Sequence, residues 1–363
     1  MSTTTPSTFP ASSPYRSLAR ALDALPNGFP PAPDESDLLL LAKLYSEEEA
    51  SLAAQLMPEA ETPIQIGERL GRDPRELAPI LKDMVRKGLI SFGKTEQGRP
   101  GFSLMPFVVG IYEMQNGRID EEFARLFERY YQTAFKQILA IAPQLHRVIP
   151  VGETVKNNME VHPYESVDAL LDRFQSWGVV DCICRTQKTL IGEPCGHPLD
   201  VCMTLSDRPN AFSGDTDVRV LTRDEAHQVL RRAAEAGLVH TVSNNQRDMW
   251  YLCNCCTCGC TILRGMAEMG IANVVARSAF INQVDVERCS ACENCVSACS
   301  FHAIEVDQTA MINETRCIGC GVCVPVCPSG ALSLVRREGE KEPPASEADW
   351  RAERSQARSA LIP

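Results

Sequence analysis

The sequence predicts an α+β chain of three folded parts in series, and three observations carry that expectation. Helix-capping signals and amphipathic spacing dominate residues 34 to 139. From 160 to 270, helices alternate with short apolar runs that carry cysteine. Beyond 288 one cysteine pattern occurs twice, 28 residues apart.

Size and charge narrow the function classes. At 363 residues the chain suits two or three domains, and 44% hydrophobic with 23% charged residues is a globular balance. No apolar run approaches the ~20 residues of a membrane span. MSTTTPSTFPASSPYR lacks a charged segment followed by an apolar one, so no secretion signal is expected and the cytoplasm is the expected location. In a reducing compartment, 17 cysteines in tight sets read as metal ligands or redox groups rather than disulfides. The formal net charge of −11 disfavours broad nucleic-acid or anionic-membrane binding.

Residues 1–33, rich in Ser, Thr and Pro, predict a disordered lead-in. Residues 34–110 follow. Ser46 with Glu49 forms a capping box, Thr62–Pro63 opens a second helix, and Asp73, Pro74 and Glu76 open a third. SFGKTEQGRPGFSLM then reads as two strands around a Gly-rich turn. Helix, helix, turn, helix, hairpin resembles a winged-helix domain. In its third helix Leu77, Leu81 and Met84 form the buried side, with Arg75, Lys82 and Arg86 opposite. Residues 62–105 hold eight Lys or Arg against five Asp or Glu, a net of +3, which is a weak basic patch. Pro79 on the outward face interrupts a helix that would have to lie in a DNA groove. A protein is therefore the favoured partner of this domain and DNA the alternative.

Residues 111–270 predict a helical and mixed cysteine-rich domain. Phe123, Leu126, Phe127, Tyr130, Tyr131, Ala134, Phe135, Ile138 and Leu139 recur at helical spacing, which suits a helix covering a core or a dimer seam better than a cofactor box. VVDCIC reads as a strand bearing Cys182 and Cys184 on one face. Thr222 with Glu225 starts a helix that Gly237 ends, and WYLCNCC is strand-like. Residues 336–363 are charged, without an apolar stripe, and predict a flexible tail or a partner-docking segment.

The strongest signal lies in 271–335. Cys289, Cys292, Cys295 and Cys299 follow C-x2-C-x2-C-x3-C, and Cys317, Cys320, Cys323, Cys327 and Pro328 repeat it with its proline. FHAIEV in one half matches SGALSL in the other. Zinc also accepts four thiolates, but its ribbons favour paired C-x2-C knuckles. This region resembles a bacterial dicluster ferredoxin, which implies two hairpins, two short helices and two 4Fe-4S clusters. Three close cysteines wrap one cube while the fourth points to the other. By that rule Cys289, Cys292, Cys295 and Cys327 hold one cluster, and Cys317, Cys320, Cys323 and Cys299 the other. Ser300 replaces the proline of the first half, which leaves the ligands intact but alters the turn after them.

Nine cysteines remain: Cys182, Cys184, Cys195, Cys202 and, within CNCCTCGC, Cys253, Cys255, Cys256, Cys258 and Cys260. Seventeen is four fours plus one, so one or two further iron–sulfur clusters fit with a thiol to spare. A zinc site or free dithiols are the alternatives. If CNCCTCGC is extended, Cys253 and Cys255 face one way and Cys256, Cys258 and Cys260 the other, so the segment lies between two metal sites or beside one site and a reserve. Arg185, next to Cys184, is expected to bind the cofactor by donating to cluster sulfur or by pairing with an acid. His197 reads as an ordinary loop histidine, and His240 and His302 as structural. CICR, GEPCGHPLDVC and CNCCTCGC together resemble a region of bacterial and archaeal 4Fe-4S ferredoxin-type proteins that also carry a helical N-terminal part and a C-terminal dicluster. They do not match the paired CCG blocks of heterodisulfide reductases.

No P-loop and no GxGxxG after a strand is present, so nucleotide or flavin binding is unsupported. The expected function is multi-cluster electron transfer to a protein redox partner, as a ferredoxin-like carrier or the wiring subunit of an oxidoreductase rather than a stand-alone enzyme. The alternatives are a redox-sensing DNA-binding regulator and an oxidoreductase with a substrate-facing cluster in the cysteine-rich middle.

Overall fold

The computed structural model describes residues 8–152, 154–155, 159–214 and 217–360. The chain forms two compact units, 1–138 and 139–363. The first is mainly helical. Helix α1 (Pro14–Ala24), with proline at its start, buries Tyr15, Leu18, Ala19 and Leu22, a set at i, i+3, i+4 and i+7. The lead-in expected to be disordered is therefore corrected from Pro14 onward, because that stripe needs cover; residues 1–7 lie outside the described residues.

Helices α2 (Ser36–Leu44) and α3 (Glu47–Ala53) follow, the latter behind the Ser46/Glu49 capping box. Helix α4 (Pro63–Leu70) starts at a Thr62/Gln65 box and stops at Gly71, and α5 (Pro74–Arg86) is capped by Asp73 and contains Pro79. Leu77, Leu81 and Met84 are fully buried. Strands β1 (Ser91–Lys94) and β2 (Pro100–Ser103) make an antiparallel hairpin. Helix α6 (Glu121–Thr133) lays Phe123, Phe127 and Tyr130 into an aromatic core, with Tyr112 stacked on Phe127 at 4.0 Å between centroids. The predicted stripe thus covers a core, but the helix ends before Leu139. Ala134 leaves helical geometry at φ −129°, after Thr133 Oγ1 has donated back to the Arg129 carbonyl. The boundaries expected at 33/34 and 110/111 fall inside this unit.

The second unit is built on a six-stranded antiparallel sheet of order β3-β7-β8-β5-β4-β6. Its elements run β3 (His146–Ile149), α7 (Val167–Leu171), β4 (Ser176–Asp181), α8 (Ile183–Leu190), β5 (Asp200–Ser206), β6 (Arg219–Leu221), α9 (Arg223–Glu235), β7 (Val239–Ser243) and β8 (Tyr251–Cys255). Strand alternation sorts the two faces. Val201, Met203, Leu205, Val242 and Leu252 join residues of α7 and α9 in one apolar layer. Cys202, Thr241, Cys253 and Cys255, at the intervening positions, face the other way. Met203 stands opposite Leu252 and Thr241 opposite Cys253, which places Cys202 beside Cys253.

Helix α10 (Arg264–Met269) leads to a small domain of two antiparallel strand pairs. Strand β9 (Phe280–Val284) pairs with β12 (Leu332–Arg336), and between them lie α11 (Asn294–Ala298) and the pair β10 (Ile304–Val306) and β11 (Ala310–Ile312). It is tied to the sheet through Ala276, whose backbone bonds to His146 and Val148, and through Arg336, which grips Glu165 with both amino groups.

The tail expected to be flexible instead forms α12 (Glu347–Ser359), started by a Ser346/Asp349 capping box. Trp350 and Arg354, one turn apart, fold back on the chain. Trp350 Nε1 donates to the Gln144 carbonyl at 2.9 Å, and Arg354 to those of Ile141 and Pro143. Arg354 is fully buried, and burial, with Arg358 nearby, holds its pKa down to about 9. Arg354→Ala strands these carbonyls and is expected to lower stability by about 1–3 kcal/mol in chemical denaturation.

Candidate metal centres

The two halves of the cysteine repeat are built alike. Asp285 and Asn313, 28 residues apart, each turn the chain into its motif: their side chains accept from the backbone N–H of Glu287 and of Thr315. The backbone N–H of Cys289 bonds to the Asp285 carbonyl, and that of Cys317 to Asn313. Ala291 and Glu293 in the first loop share positive φ with Gly319 and Gly321 in the second. Only the second loop needs glycine for space as well. A Cβ on Gly319 would stand 2.0 Å from the Phe280 carbonyl oxygen and 2.2 Å from Ser278 Oγ. Gly319→Ala is expected to cost about 1–3 kcal/mol of stability, read as a shifted denaturation midpoint, whereas Ala291→Gly is expected to be nearly neutral.

The sulfurs of the repeat group across the two halves. Cys289, Cys292 and Cys295 line one small cavity together with Cys327. Cys299 in turn lies close enough to Cys320 and Cys323 to raise their pKa, as does Cys317, although burial is the larger cause. Backbone N–H groups donate to these sulfurs at symmetric points: Ala303 to Cys299 at 3.4 Å and Ala331 to Cys327 at 3.3 Å. Ala310 donates to Cys289 at 3.4 Å, and the Asn282 amide to Cys323 at 2.9 Å. Donors aimed at sulfur favour thiolate, which is the form a soft metal takes.

The nine middle cysteines divide into six and three. Cys182, Cys184, Cys260, Cys255, Cys253 and Cys202 form a closed circuit in which each thiol bonds to the next and Cys202 returns to Cys182. Around it the proton affinities alternate. Cys182, Cys260 and Cys253 are raised and Cys184, Cys255 and Cys202 lowered, in each case chiefly by the two neighbouring sulfurs. Thr261 reinforces Cys184 at 3.3 Å, and Thr241 lies 3.4 Å from Cys255. A ring of six sulfur donors, with Cys182, Cys255 and Cys260 buried and the others partly so, suits iron–sulfur chemistry.

The second group is compact. Cys195 and His197 come from the loop after α8, Cys256 and Cys258 from the turn after β8, and their ligand atoms all lie within 4.8 Å of one another. Burial pushes the Cys258 thiol up to about 12, with Cys256 and Cys195 adding to it, and lowers the pKa of His197 with the help of Arg185. The fully buried Arg185 lies between the two groups. It donates to the carbonyls of Pro198 at 2.7 Å and Asn254 at 2.6 Å. Burial alone would weaken its proton affinity, but the sulfurs of Cys182, Cys256 and Cys202 reverse this and raise it. Gly259 lets it approach, since a Cβ there would stand 3.1 Å from Arg185 Cγ and 3.4 Å from Cys256 Sγ.

Several expectations change. VVDCIC is not a strand through both cysteines, because β4 ends at Asp181 and Cys182 instead starts α8; a helical turn, not alternation, brings Cys184 back beside it. CNCCTCGC sends Cys253 and Cys255 to one group and Cys256 and Cys258 to the other, as expected for an extended segment. Cys260 departs from that pattern: a turn follows Cys256, the Cys260 N–H bonds back to the Cys256 carbonyl, and the sulfur rejoins the ring. His197, read as a loop histidine, is the fourth member of the compact group; C-x-H beside C-x-C was the signal for it. Arg185 meets the sulfur of Cys256, one of the two expectations for it, and also donates to two backbone carbonyls. His240 is structural: its buried ring bonds to the Asn254 side chain, and burial holds its pKa down to about 4. A cavity of about 890 Å³ between β3, β12 and α12 is lined by Arg147, Arg336 and Glu353 among others, and no cysteine lines it. Among the described residues no helix is long and apolar enough to cross a membrane.

Comparison with known proteins agrees with the repeat. The family model of the 4Fe-4S binding domain matches residues 282–305 and 310–333. A ferredoxin of Methanothermococcus thermolithotrophicus is 34% identical over 55 residues, 92% of its length and 14% of this chain. Pyruvate synthase subunit PorD of Methanocaldococcus jannaschii is 39% identical over 57 residues, 66% of its length and 15% of this chain. Indolepyruvate oxidoreductase subunit IorA of Pyrococcus horikoshii is 34% identical over 157 residues, which are 37% of this chain but only 22% of that subunit. No solved structure matches the chain. Two such domains carry two 4Fe-4S clusters, and through them the chain belongs to the ferredoxin family.

Proposed function

We propose that the chain is a multi-cluster iron–sulfur electron-transfer protein, a ferredoxin-like carrier or the wiring subunit of an oxidoreductase, that serves a protein redox partner in the reducing cytoplasm. The observation that carries this reading is the cavity where Cys327 of the second repeat meets Cys289, Cys292 and Cys295 of the first. These four hold one 4Fe-4S cluster, and Cys317, Cys320, Cys323 and Cys299 hold the other. The ring of Cys182, Cys184, Cys202, Cys253, Cys255 and Cys260 holds a third iron–sulfur cluster. When bound, such clusters take up and release single electrons at potentials set by charge, burial and hydrogen bonds to sulfur. The chain supplies those settings: the N–H groups of Ala303, Ala310 and Ala331, the Asn282 amide, and the cation of Arg185. Relatives named as oxidoreductase and synthase subunits support the same setting.

Residues 34–110 are read as a winged-helix-like domain that contacts protein. In support, four of the eight basic residues of 62–105 are engaged by acids: Arg69 pairs with Glu61, Arg72 with Glu48, Arg86 with Asp83, and Lys87 with Glu49 and Asp83, which halves an already weak basic patch. Ile64 and Phe92, 56% and 59% exposed, give this domain apolar surface instead.

Anaerobic purification with iron and sulfide quantitation, and EPR of the dithionite-reduced protein, tests the reading. More than about eight irons per chain are expected, because two cubes alone account for about eight. A colourless, iron-free chain refutes it.

A further inference from the structure

We propose that Cys195, His197, Cys256 and Cys258 hold a single tetrahedral divalent ion of the zinc type, a site separate in kind from every iron–sulfur cluster of the chain. The geometry makes the distinction. Zinc–sulfur bonds of about 2.3 Å and zinc–nitrogen bonds of about 2.0–2.1 Å put neighbouring ligand atoms about 3.6–3.8 Å apart in a tetrahedron. Here all four ligand atoms lie within 4.8 Å of one another, and Cys258 Sγ stands 3.6 Å from His197 Nδ1. A 4Fe-4S cube would need them spread more widely, since each thiolate sits on its own iron.

Charge and connectivity agree. Three thiolates and a neutral imidazole around a divalent ion leave one net negative charge, and Arg185 lies against Cys256 to balance it. The donors come in two short-range pairs, C-x-H and C-x-C, separated by 61 residues between His197 and Cys258. One ion therefore clips the loop between α8 and β5 to the turn that carries Cys260 into the six-sulfur ring. The site acts as a structural pin beside the redox chemistry and takes no electron itself, because zinc has no second accessible oxidation state.

The test uses the full-length protein, purified without air from zinc- and iron-replete cells. About one zinc per chain is expected, with an absorption-edge ligand shell of three sulfurs and one nitrogen. His197→Ala and Cys258→Ser are expected to lose zinc more than tenfold while iron and acid-labile sulfide stay constant. His197→Cys, which restores a fourth soft donor, keeps zinc and controls for misfolding. Zinc below a tenth of an atom per chain in the parent protein overturns the proposal, as does a shell without nitrogen. So does iron falling in step with zinc in these variants. A chain that keeps zinc but binds no iron would refute the electron-transfer reading and leave this site standing.

Discussion

In Cys327→Ala, iron bound by the C-terminal domain is expected to fall from about eight atoms to about four, and the lost half is that of the first repeat, not the repeat that was mutated. The reason is spatial. Cys327 lines the cavity of Cys289, Cys292 and Cys295, and its sulfur accepts from Ala331 within that site. Cys299→Ala is the mirror case: it should strip the site of Cys317, Cys320 and Cys323 and spare the first. The two variants are told apart by pairing each with Cys292→Ala. Cys292→Ala added to Cys327→Ala removes no further iron, whereas added to Cys299→Ala it removes the rest. Iron analysis with EPR reads both, and the spin–spin broadening of two reduced neighbours should vanish in either single variant. Loss confined to the mutated repeat would show that the fourth ligands do not cross.

Arg185→Met is expected to be the most damaging change outside the cysteines. It removes a buried cation that lies between two sulfur groups and strands the carbonyls of Pro198 and Asn254. Truncating one partner of such a buried charged network costs about 3–5 kcal/mol. In surviving protein the six-sulfur site should titrate at a more negative potential, because an added electron loses a nearby positive charge. Thermal melting and a spectroelectrochemical titration read the two effects separately. An unchanged potential would mean that Arg185 acts only through its carbonyl bonds.

Much of this was legible in the sequence because the information is local. Two cysteine motifs in register, with FHAIEV matching SGALSL, carry the ferredoxin resemblance that implies two hairpins; the structure has one hairpin, β10–β11, and an antiparallel pair of the outer strands, β9–β12. Capping boxes at Ser46 and Thr222 are where expected, since a cap is decided within four residues. What sequence did not give depends on distant partners. The stripe of α1 lay among prolines and serines, and Trp350 with Arg354 is a single pair whose carbonyl partners lie more than 200 residues away. The division of nine cysteines into six and three could not be counted out, because His197 completes the smaller set and a turn after Cys256 returns Cys260 to the larger.

One peptide bond joins Cys255, in the ring, to Cys256, in the compact group. At that junction lies Asn254, whose side-chain amide donates to the Val201 carbonyl at 2.6 Å and whose backbone carbonyl accepts a hydrogen bond from Arg185. Were β8 to slip by one residue against β5, every thiol on it would exchange sides and an amide would enter the ring. If the two groups bind different metals as proposed, the group that each thiol of β8 joins is set by strand alignment before it is set by ligand affinity.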